Sequence, residues 1–439
     1  MAKFIINGGR PLRGAVTLGG AKNASFKLMI AAMLADSESR LLNLSHIGDV
    51  DITKKTMEAL GVGVVECGPR TMFINPSKVS SSQIPQFAGE KSRASTLFAS
   101  ILLKQTGKAI IPQPGGCVLG ARPIDRHLEA LESLGVKIFN KENSVELVTS
   151  GLIGNKYRFA KKTHTGTECF ILAAVKAKGR TIIENAGQEP EIDDLIDYLN
   201  KMGARIERKQ GNVIIIEGVD KLHGSIHKVM PDRNEAVSYA CAALATKGDI
   251  VVENARKQDL AAFLDLVDKA GGKYETSGYG IRFWYEKPLK AVSIKTAPHP
   301  GFMTDWQPLW SVVMTQAMGV SEIIEAVHHN RFQFTKLLNQ MGADIKLFNP
   351  QIDNPEDYYE FNIKDAQSGE YHGAKITGPT PLRSIDVVVP DLRAGATLTI
   401  AALKAPGVNS VDNIEHIDRG YENLDISLSQ LGADIKRVD

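Results

Sequence analysis

A cysteine behind two glycines, with two arginines and a histidine shortly after it, is the part of this chain best equipped for proton chemistry. The run is Pro114-Gly115-Gly116-Cys117, followed by Arg122, Arg126 and His127. Glycines permit a tight, movable turn, and nearby cations favour the thiolate. Read from residue types alone, an inert turn cysteine accounts for it equally well. Gly20-Ala21-Lys22-Asn23-Ala24 sets a lysine and an amide at the start of a helix-like run. Lysine is a point-charge phosphate binder, and the competing account is a capped surface helix. Asp305, in Gly301-Phe302-Met303-Thr304-Asp305-Trp306, reads first as a helix cap and more sharply as a general base. Asp391-Leu392-Arg393 and His416-Ile417-Asp418-Arg419 each place an acid beside an arginine, which a local ion pair explains. Asn330-Arg331-Phe332 holds the place in its repeat that Asp418-Arg419-Gly420 holds in the next, which points instead to a shared arginine cluster. His164 reads as a ligand contact or as a satisfied loop histidine, and Cys169 and Cys241 read as core.

The elements that must position these residues recur six times. Each repeat has a small-residue helical run, a strand, an amphipathic helix and a closing glycine at 61, 135, 203, 271, 342 or 432. Spacings of 74, 68, 68, 71 and 90 residues mark repeated supersecondary units. The small-residue runs, at 24–35, 94–103, 169–177, 236–245, 308–318 and 394–403, are apolar on most sides and predict buried helices. Asp125–Leu134, with Leu128, Leu131 and Leu134 between polar residues, predicts a surface helix. Lys22, Arg93, Asp232, Asp305 and Arg393 stand where buried helices open, and helix N-termini attract anions. The division between two sets of three repeats is expected near Val229-Met230-Pro231. The 1–21 segment suits either set. An extra stretch of about twenty residues within 347–376, acidic and rich in turn residues, predicts a solvated surface loop.

The length calls for two domains, and a net charge of +2 gives no electrostatic case for nucleic acid or a membrane surface. No apolar run reaches the roughly 18 residues of a membrane span. The start of the chain does not read as a signal peptide. Four widely separated cysteines show no metal-ligand spacing, which fits a reducing, cytoplasmic setting.

In order, the motifs Gly-Ala-Lys-Asn at 20–23, Arg93-Ala94-Ser95, Pro114–Cys117 with Gly120–Asp125, Glu184-Asn185-Ala186, Pro231-Asp232-Arg233, Thr304-Asp305, Asn330-Arg331-Phe332, Asp391–Ala394 and His416–Glu422 resemble those of the UDP-N-acetylglucosamine enolpyruvyl transferase family, along nearly the whole chain. The resemblance implies an α/β fold: a two-domain inverse α/β barrel of six βαβαββ-type units, three per domain. One domain would hold 22–230, the other 1–21 and 231–439, with the active site between them. It implies transfer of the enolpyruvyl group of phosphoenolpyruvate to the 3′-hydroxyl of UDP-N-acetylglucosamine, the first committed step of peptidoglycan synthesis. Cys117 would be the proton donor and Asp305 the base, with Lys22 and Arg393 completing the catalytic set. Lys22, Asn23, Arg122, Arg331, Arg393 and Arg419 would hold phosphoenolpyruvate. The nucleotide sugar would meet Asn23, Arg93, Arg122, Pro123, Ile124, Asp125, Arg126, Lys162, Thr163, His164, Thr165, Asp305 and Val327. The implied protein is a cytoplasmic monomer that needs no cofactor or metal and has no partner beyond its two substrates. The chain departs from the family pattern at 162–168, at Met303, at Trp306 and in the 347–376 insertion, which leaves room for another nucleotide acceptor. Shikimate 3-phosphate is a weaker alternative, because its enzymes lack the Pro-Gly-Gly-Cys loop. A non-catalytic paralogue that binds the nucleotide sugar is the reading from outside enzymology.

Overall fold

Six helices apolar on almost every side form the centre of the architecture. They are Lys22–Ala32, Phe98–Thr106, His164–Ala174, Arg233–Thr246, Gln307–Thr315 and Leu392–Lys404. Every residue of Arg233–Thr246 is buried. A helix with no polar face must be surrounded by other elements. The computed structural model describes residues 2–76, 78–112 and 124–438, with only the backbone of Arg93. These fall into two units, one of residues 2–18 and 231–438, the other of 19–112 and 124–230. In the first unit the three buried helices pack on one another pairwise; in the second, Phe98–Thr106 packs on both of the others.

The sequence places these helices well and their starts less well. The second opens as a 3-10 turn, Arg93–Leu97, before its α-helix. The third begins at His164, five residues ahead of the apolar run that announces it, so 164–168 is the first helical turn rather than loop. Amphipathic helices follow at Gly48–Ala59, Asp125–Ser133, Pro190–Lys201, Ala261–Ala270, Phe334–Gln340 and Leu424–Gln430. All six closing glycines have φ between 81 and 102°. That left-handed conformation ends a helix and favours glycine.

A sheet backs each repeat, mixed in all but the second. In repeat three the spatial order is Lys156–Arg158, Arg180–Glu184, Val213–Glu217, Arg205–Lys209. The first pair is parallel and the others antiparallel. Repeat five copies this pattern. Repeat two keeps three strands, with a parallel bridge from Gln83 to Ile110 where the leading strand would lie. The N-terminal segment settles what its sequence left open. Lys3–Gly8 fills the third place in the sheet of repeat six, and Arg13–Thr17 leads the sheet of repeat four. Ile226–Lys228 correspondingly leads the sheet of repeat one.

One asparagine device recurs. Asn43, Asn185, Asn254 and Asn413 follow the central strands of repeats one, three, four and six with φ of 61, 53, 67 and 64°. Asparagine tolerates this conformation better than other side chains that have a Cβ. Three of them donate from Nδ2 to the carbonyl just past a leading strand: Asn43 to Val229 (3.1 Å), Asn185 to Phe159 (2.9 Å) and Asn413 to Val389 (3.2 Å). Each bond fixes the chain as it turns toward the start of a buried helix.

The 347–376 stretch corrects the expectation of a solvated loop. It carries a short helix, Pro355–Tyr358, and a 3-10 turn, Ile363–Asp365. Tyr359 and Phe361 are buried and form a separate apolar cluster with Ala326. Among the described residues no helix is long and apolar enough to cross a membrane.

Gly432 has φ +85° and nothing within 4 Å of the place a Cβ would occupy. Gly432→Ala therefore isolates backbone strain and should lower the unfolding free energy by about 1 kcal/mol in chemical denaturation. An unchanged value would refute the left-handed closure.

Candidate functional site

In the unit containing residues 231–438, the openings of repeats five and six and an arginine from within repeat five meet around one carboxylate. Asp305 Oδ1 accepts from Arg331 Nη2 at 2.6 Å, and Oδ2 accepts from Arg393 Nη2 at 3.2 Å. Both arginines are almost completely buried, whereas the Asp305 side chain keeps 23% of its surface exposed. The expected capping role is overturned: Trp306 holds the N-cap position, and the Asp305 carboxylate serves the two guanidiniums. The local acid–arginine pairs read from sequence are replaced as well. Asp391 caps the Leu392–Lys404 helix through the N–H groups of Arg393 (2.9 Å) and Ala394 (3.1 Å), while Asp418 pairs with Arg437. Two members of the expected arginine cluster, Arg331 and Arg393, thus share Asp305. Arg419 lies half-buried after the short Glu415–Asp418 helix.

Behind this group, Arg393 Nη1 donates to Tyr421 Oη at 3.1 Å, and Tyr421 shares a 2.7 Å hydrogen bond with Ser238. Burial works against the Arg393 charge, but Asp305, Tyr421 and Asp232 outweigh it and hold the guanidinium above its usual range. Asp232 caps Arg233–Thr246 through the N–H groups of Asn234 (2.7 Å) and Glu235 (3.2 Å).

Glu325 was not singled out in the sequence. It is fully buried, and its Oε1 accepts from Thr296 Oγ1 (2.8 Å), Val327 N (2.9 Å) and His328 N (2.9 Å). Its Oε2 accepts from Thr304 Oγ1 at 3.0 Å, one residue before Asp305. Burial pushes the Glu325 carboxyl up, against the pull of Arg331 and of these donors. One carboxylate therefore shapes the 325–328 turn and the approach to Asp305. The signal available was an acid directly after the central strand Gly319–Ile324, where Glu184 and Glu253 close the strands of other repeats.

In the unit containing residues 19–230, Lys22 opens its helix with Nζ 2.7 Å from Asp49 Oδ2, and Asn23 follows it in the first turn. This helix is buried, not the capped surface helix that competed with the lysine's functional reading. Ile124 precedes the Asp125–Ser133 helix, which holds the 162–165 segment. Arg126 Nη1 donates to the Lys162 carbonyl at 3.3 Å, and His127 Nε2 lies 2.9 Å from Thr165 Oγ1. Thr163 caps the next helix by accepting from Gly166 N. His164 Nε2 lies 2.9 Å from Lys27 Nζ and 3.1 Å from Glu168 Oε1, while Lys27 and Glu168 form a 2.6 Å ion pair. Burial lowers the Lys27 pKa despite Glu168. Burial also opposes a charge on His164, but the Glu168 carboxylate outweighs it and raises that pKa. His164 is thus tied into a buried charge cluster. Cys117, Arg122, Pro123 and the side chain of Arg93 lie outside the described residues. The described cysteines are exposed Cys67 and buried Cys169 and Cys241, the latter two in helix core as expected.

The chain matches the sequence family described as EPSP synthase (3-phosphoshikimate 1-carboxyvinyltransferase) over residues 6–428. A protein of Halothermothrix orenii named UDP-N-acetylglucosamine 1-carboxyvinyltransferase is 39% identical over 438 residues, covering 100% of both chains. One of the same name from Trichlorobacter lovleyi is 39% identical, covering 100% of this chain and 99% of its own. Among solved structures, the enolpyruvyl transferase NikO from Streptomyces tendae aligns with a TM-score of 0.85 at 23% identity, over 100% of this chain and 99% of its own. An EPSP synthase from Acinetobacter baumannii aligns at 0.72 and 18% identity over the full length of both. At these identities the structural likenesses establish the two-domain enolpyruvyl transferase fold alone.

Removing Asp305 would leave two buried guanidiniums without their shared counter-ion. Asp305→Ala should therefore lower the unfolding free energy by about 1–3 kcal/mol. Asp305→Asn, which can still accept one hydrogen bond, should lose less. Equal stabilities of all three proteins in chemical denaturation would show that the paired geometry carries no energy.

Proposed function

Because this chain belongs to the family of UDP-N-acetylglucosamine 1-carboxyvinyltransferases, we propose that it moves the enolpyruvyl group of phosphoenolpyruvate onto the 3′-hydroxyl of UDP-N-acetylglucosamine, releasing phosphate. The chain is an enolpyruvyl transferase, and this step commits material to peptidoglycan. The observation that carries the reading is the end-to-end match to relatives of that name. The grouping of Asp305, Arg331 and Arg393 supports it, because the reaction needs both cations and a proton acceptor. The protein acts in the cytoplasm as a monomer, and each of the two units serves as a domain of three repeats.

Phosphoenolpyruvate is highly anionic, and its charge must be offset before a neutral hydroxyl attacks. Lys22, Arg122, Arg331, Arg393 and Arg419 supply that charge, with Asn23 beside Lys22. A substrate anion that pairs with Arg331 and Arg393 takes over as their counter-ion and releases Asp305. The freed carboxylate removes the 3′-hydroxyl proton as oxygen bonds to C2 of phosphoenolpyruvate, and Cys117 protonates C3. The resulting tetrahedral ketal returns a proton from the new methyl group to the Cys117 thiolate and expels phosphate, which carries away the proton held by Asp305, restoring the double bond. Guanidiniums already in place need little reorganisation as charge shifts. Asn23, Arg93, Arg122, Pro123, Ile124, Asp125, Arg126 and the 162–165 segment hold the nucleotide sugar, and Asp305 and Val327 meet its sugar ring. The His164 bonds to Lys27 and Glu168 give that ring a fixed orientation in the nucleotide-binding segment.

Phosphate release from phosphoenolpyruvate should depend on UDP-N-acetylglucosamine and fall by at least about 10³-fold in Asp305→Ala, the scale of a lost general base with its electrostatic role. Turnover with other nucleotides but none with this acceptor would refute the reading. Fosfomycin, an epoxide, should add once, at Cys117, in the presence of the nucleotide sugar, and Cys117→Ser should escape. Burial raises the Cys169 thiol to about 12 and Cys241 well above its ordinary value, so neither should react in the folded protein. An adduct at Cys67 instead, read by peptide mass mapping, would remove Cys117 from the assigned role.

A further inference from the structure

We propose that His329 and Glu370 are positioning residues for acceptor binding, and that the 349–372 insertion exists to hold them; the proposal rests on the acceptor role given to Val327 above. Residues 325–331 form an arm that carries Val327 and ends at Arg331. Each of its two ends also has an anchor outside the insertion. Glu325 accepts from Val327 N and His328 N at one end, and Asp305 holds Arg331 at 2.6 Å at the other. The middle of the arm is held from the insertion side.

Three kinds of contact make that hold. The backbones are stitched by Glu360 N to the Ala326 carbonyl (2.7 Å) and Glu325 N to the His372 carbonyl (2.9 Å). Tyr359 and Phe361 pack on Ala326, with Phe361 edge-on to His329 at 6.0 Å. The polar contact is His329 Nδ1 to Glu370 Oε2 at 2.8 Å, with side-chain exposures of 6% and 10%. A buried charge-assisted hydrogen bond of this kind is directional and meets little competition from water.

The insertion is built to present Glu370. Its Oε2 also accepts from Gln367 N at 2.9 Å, which fixes the carboxylate within its own turn. Asn349 closes the base of the insertion by donating to the Glu370 carbonyl (3.1 Å) and accepting from His372 N (2.9 Å). On the arm, His328 stacks on His329 with centroids 5.2 Å apart. Displacing His329 therefore displaces His328 and its neighbour Val327, whereas Arg331 keeps its separate anchor on Asp305. The acceptor side should feel the change and the phosphoenolpyruvate side should not.

The test measures steady-state phosphate release for wild type, Glu370→Ala, Glu370→Gln and His329→Asn, varying each substrate in turn. Glu370→Ala should raise KM for UDP-N-acetylglucosamine about tenfold, with kcat and KM for phosphoenolpyruvate within about twofold of wild type. Glu370→Gln keeps an acceptor for Nδ1–H, and His329→Asn keeps a donor near the Nδ1 place, so both should lie nearer wild type. A buried pair with a purely structural role would lower Tm and the active fraction while leaving both KM values alone. That pattern, or unchanged kinetics in Glu370→Ala, overturns the proposal. Should Glu370→Ala not fold, Phe361→Leu takes its place with the same two outcomes. Wild-type protein without acceptor-dependent release would overturn the reading of function together with this inference; wild-type turnover with indifferent variants overturns the inference alone.

Discussion

A helix that is apolar all round can offer chemistry only at its ends. Burying Arg233–Thr246, Gln307–Thr315 and Leu392–Lys404 against one another leaves first-turn N–H groups that need partners. Two of the helices meet that need with carboxylates, Asp232 and Asp391, each accepting from two N–H groups. Side chains next to the caps are then carried to the same place. Arg393 stands two residues beyond its cap and reaches both Asp305 and Tyr421. The concentration of charge at these openings follows from burying the helices. A site for an anionic substrate uses what the packing already requires.

The repeats supply a common frame, and single residues at equivalent places give each copy its own task. Left-handed asparagines after the central strands hold the carbonyls that follow the leading strands in three repeats. Repeat five has Ala326 at that place, and the turn is organised instead by the preceding Glu325, which gathers two threonine hydroxyls and two backbone N–H groups. That substitution frees the 325–331 arm from the common pattern. It is also the repeat that carries the insertion, which packs on this arm. The change of device and the added segment occur where Val327 and Arg331 are carried.

Much of this frame was legible because it rests on periodicity. Glycines at near-constant spacing, all-apolar helical runs and β-rich segments are local signals, and the helices and strands they announced are present. The partners of charged residues were not legible, because they are set by contacts between segments distant in sequence, within a repeat or across repeats. Asp305 looks like a cap when only its neighbours are considered, yet its partners are 26 and 88 residues away. The 164–168 segment looked like loop because Thr165, Gly166 and Thr167 are weak helix formers. There the Thr163 cap and the His164, Glu168 and Lys27 contacts override propensity. The insertion looked solvated because Asn, Pro and acids dominate it, and only contact with Ala326 shows why Tyr359 and Phe361 are there. Lys22, Asn23, Asp305, Arg331 and Arg393 were singled out from their motifs, whereas Asp49 and Lys27, which pair with Lys22 and Glu168, carry no local mark.

The charged pairs divide by how readily an anion could replace the carboxylate. Lys27 and Glu168 are both fully enclosed, so their pairing offsets a desolvation penalty within the fold and stays closed to solutes. Lys22 has a side chain 14% exposed, at the first residue of a helix, and its partner Asp49 comes from the first turn of another. Asp305 is more open than either arginine it faces. In these two pairs a phosphate or carboxylate can exchange with the protein's own carboxylate at little net electrostatic cost, because the cation is never left bare. Under the proposed function, exchange would also give Asp305 two successive uses: it keeps Arg331 and Arg393 ordered before substrate arrives, and would become available to a hydroxyl once substrate takes its place. On that proposal, one carboxylate between two guanidiniums would link the stability of this charged group to the proton transfer that the reaction requires.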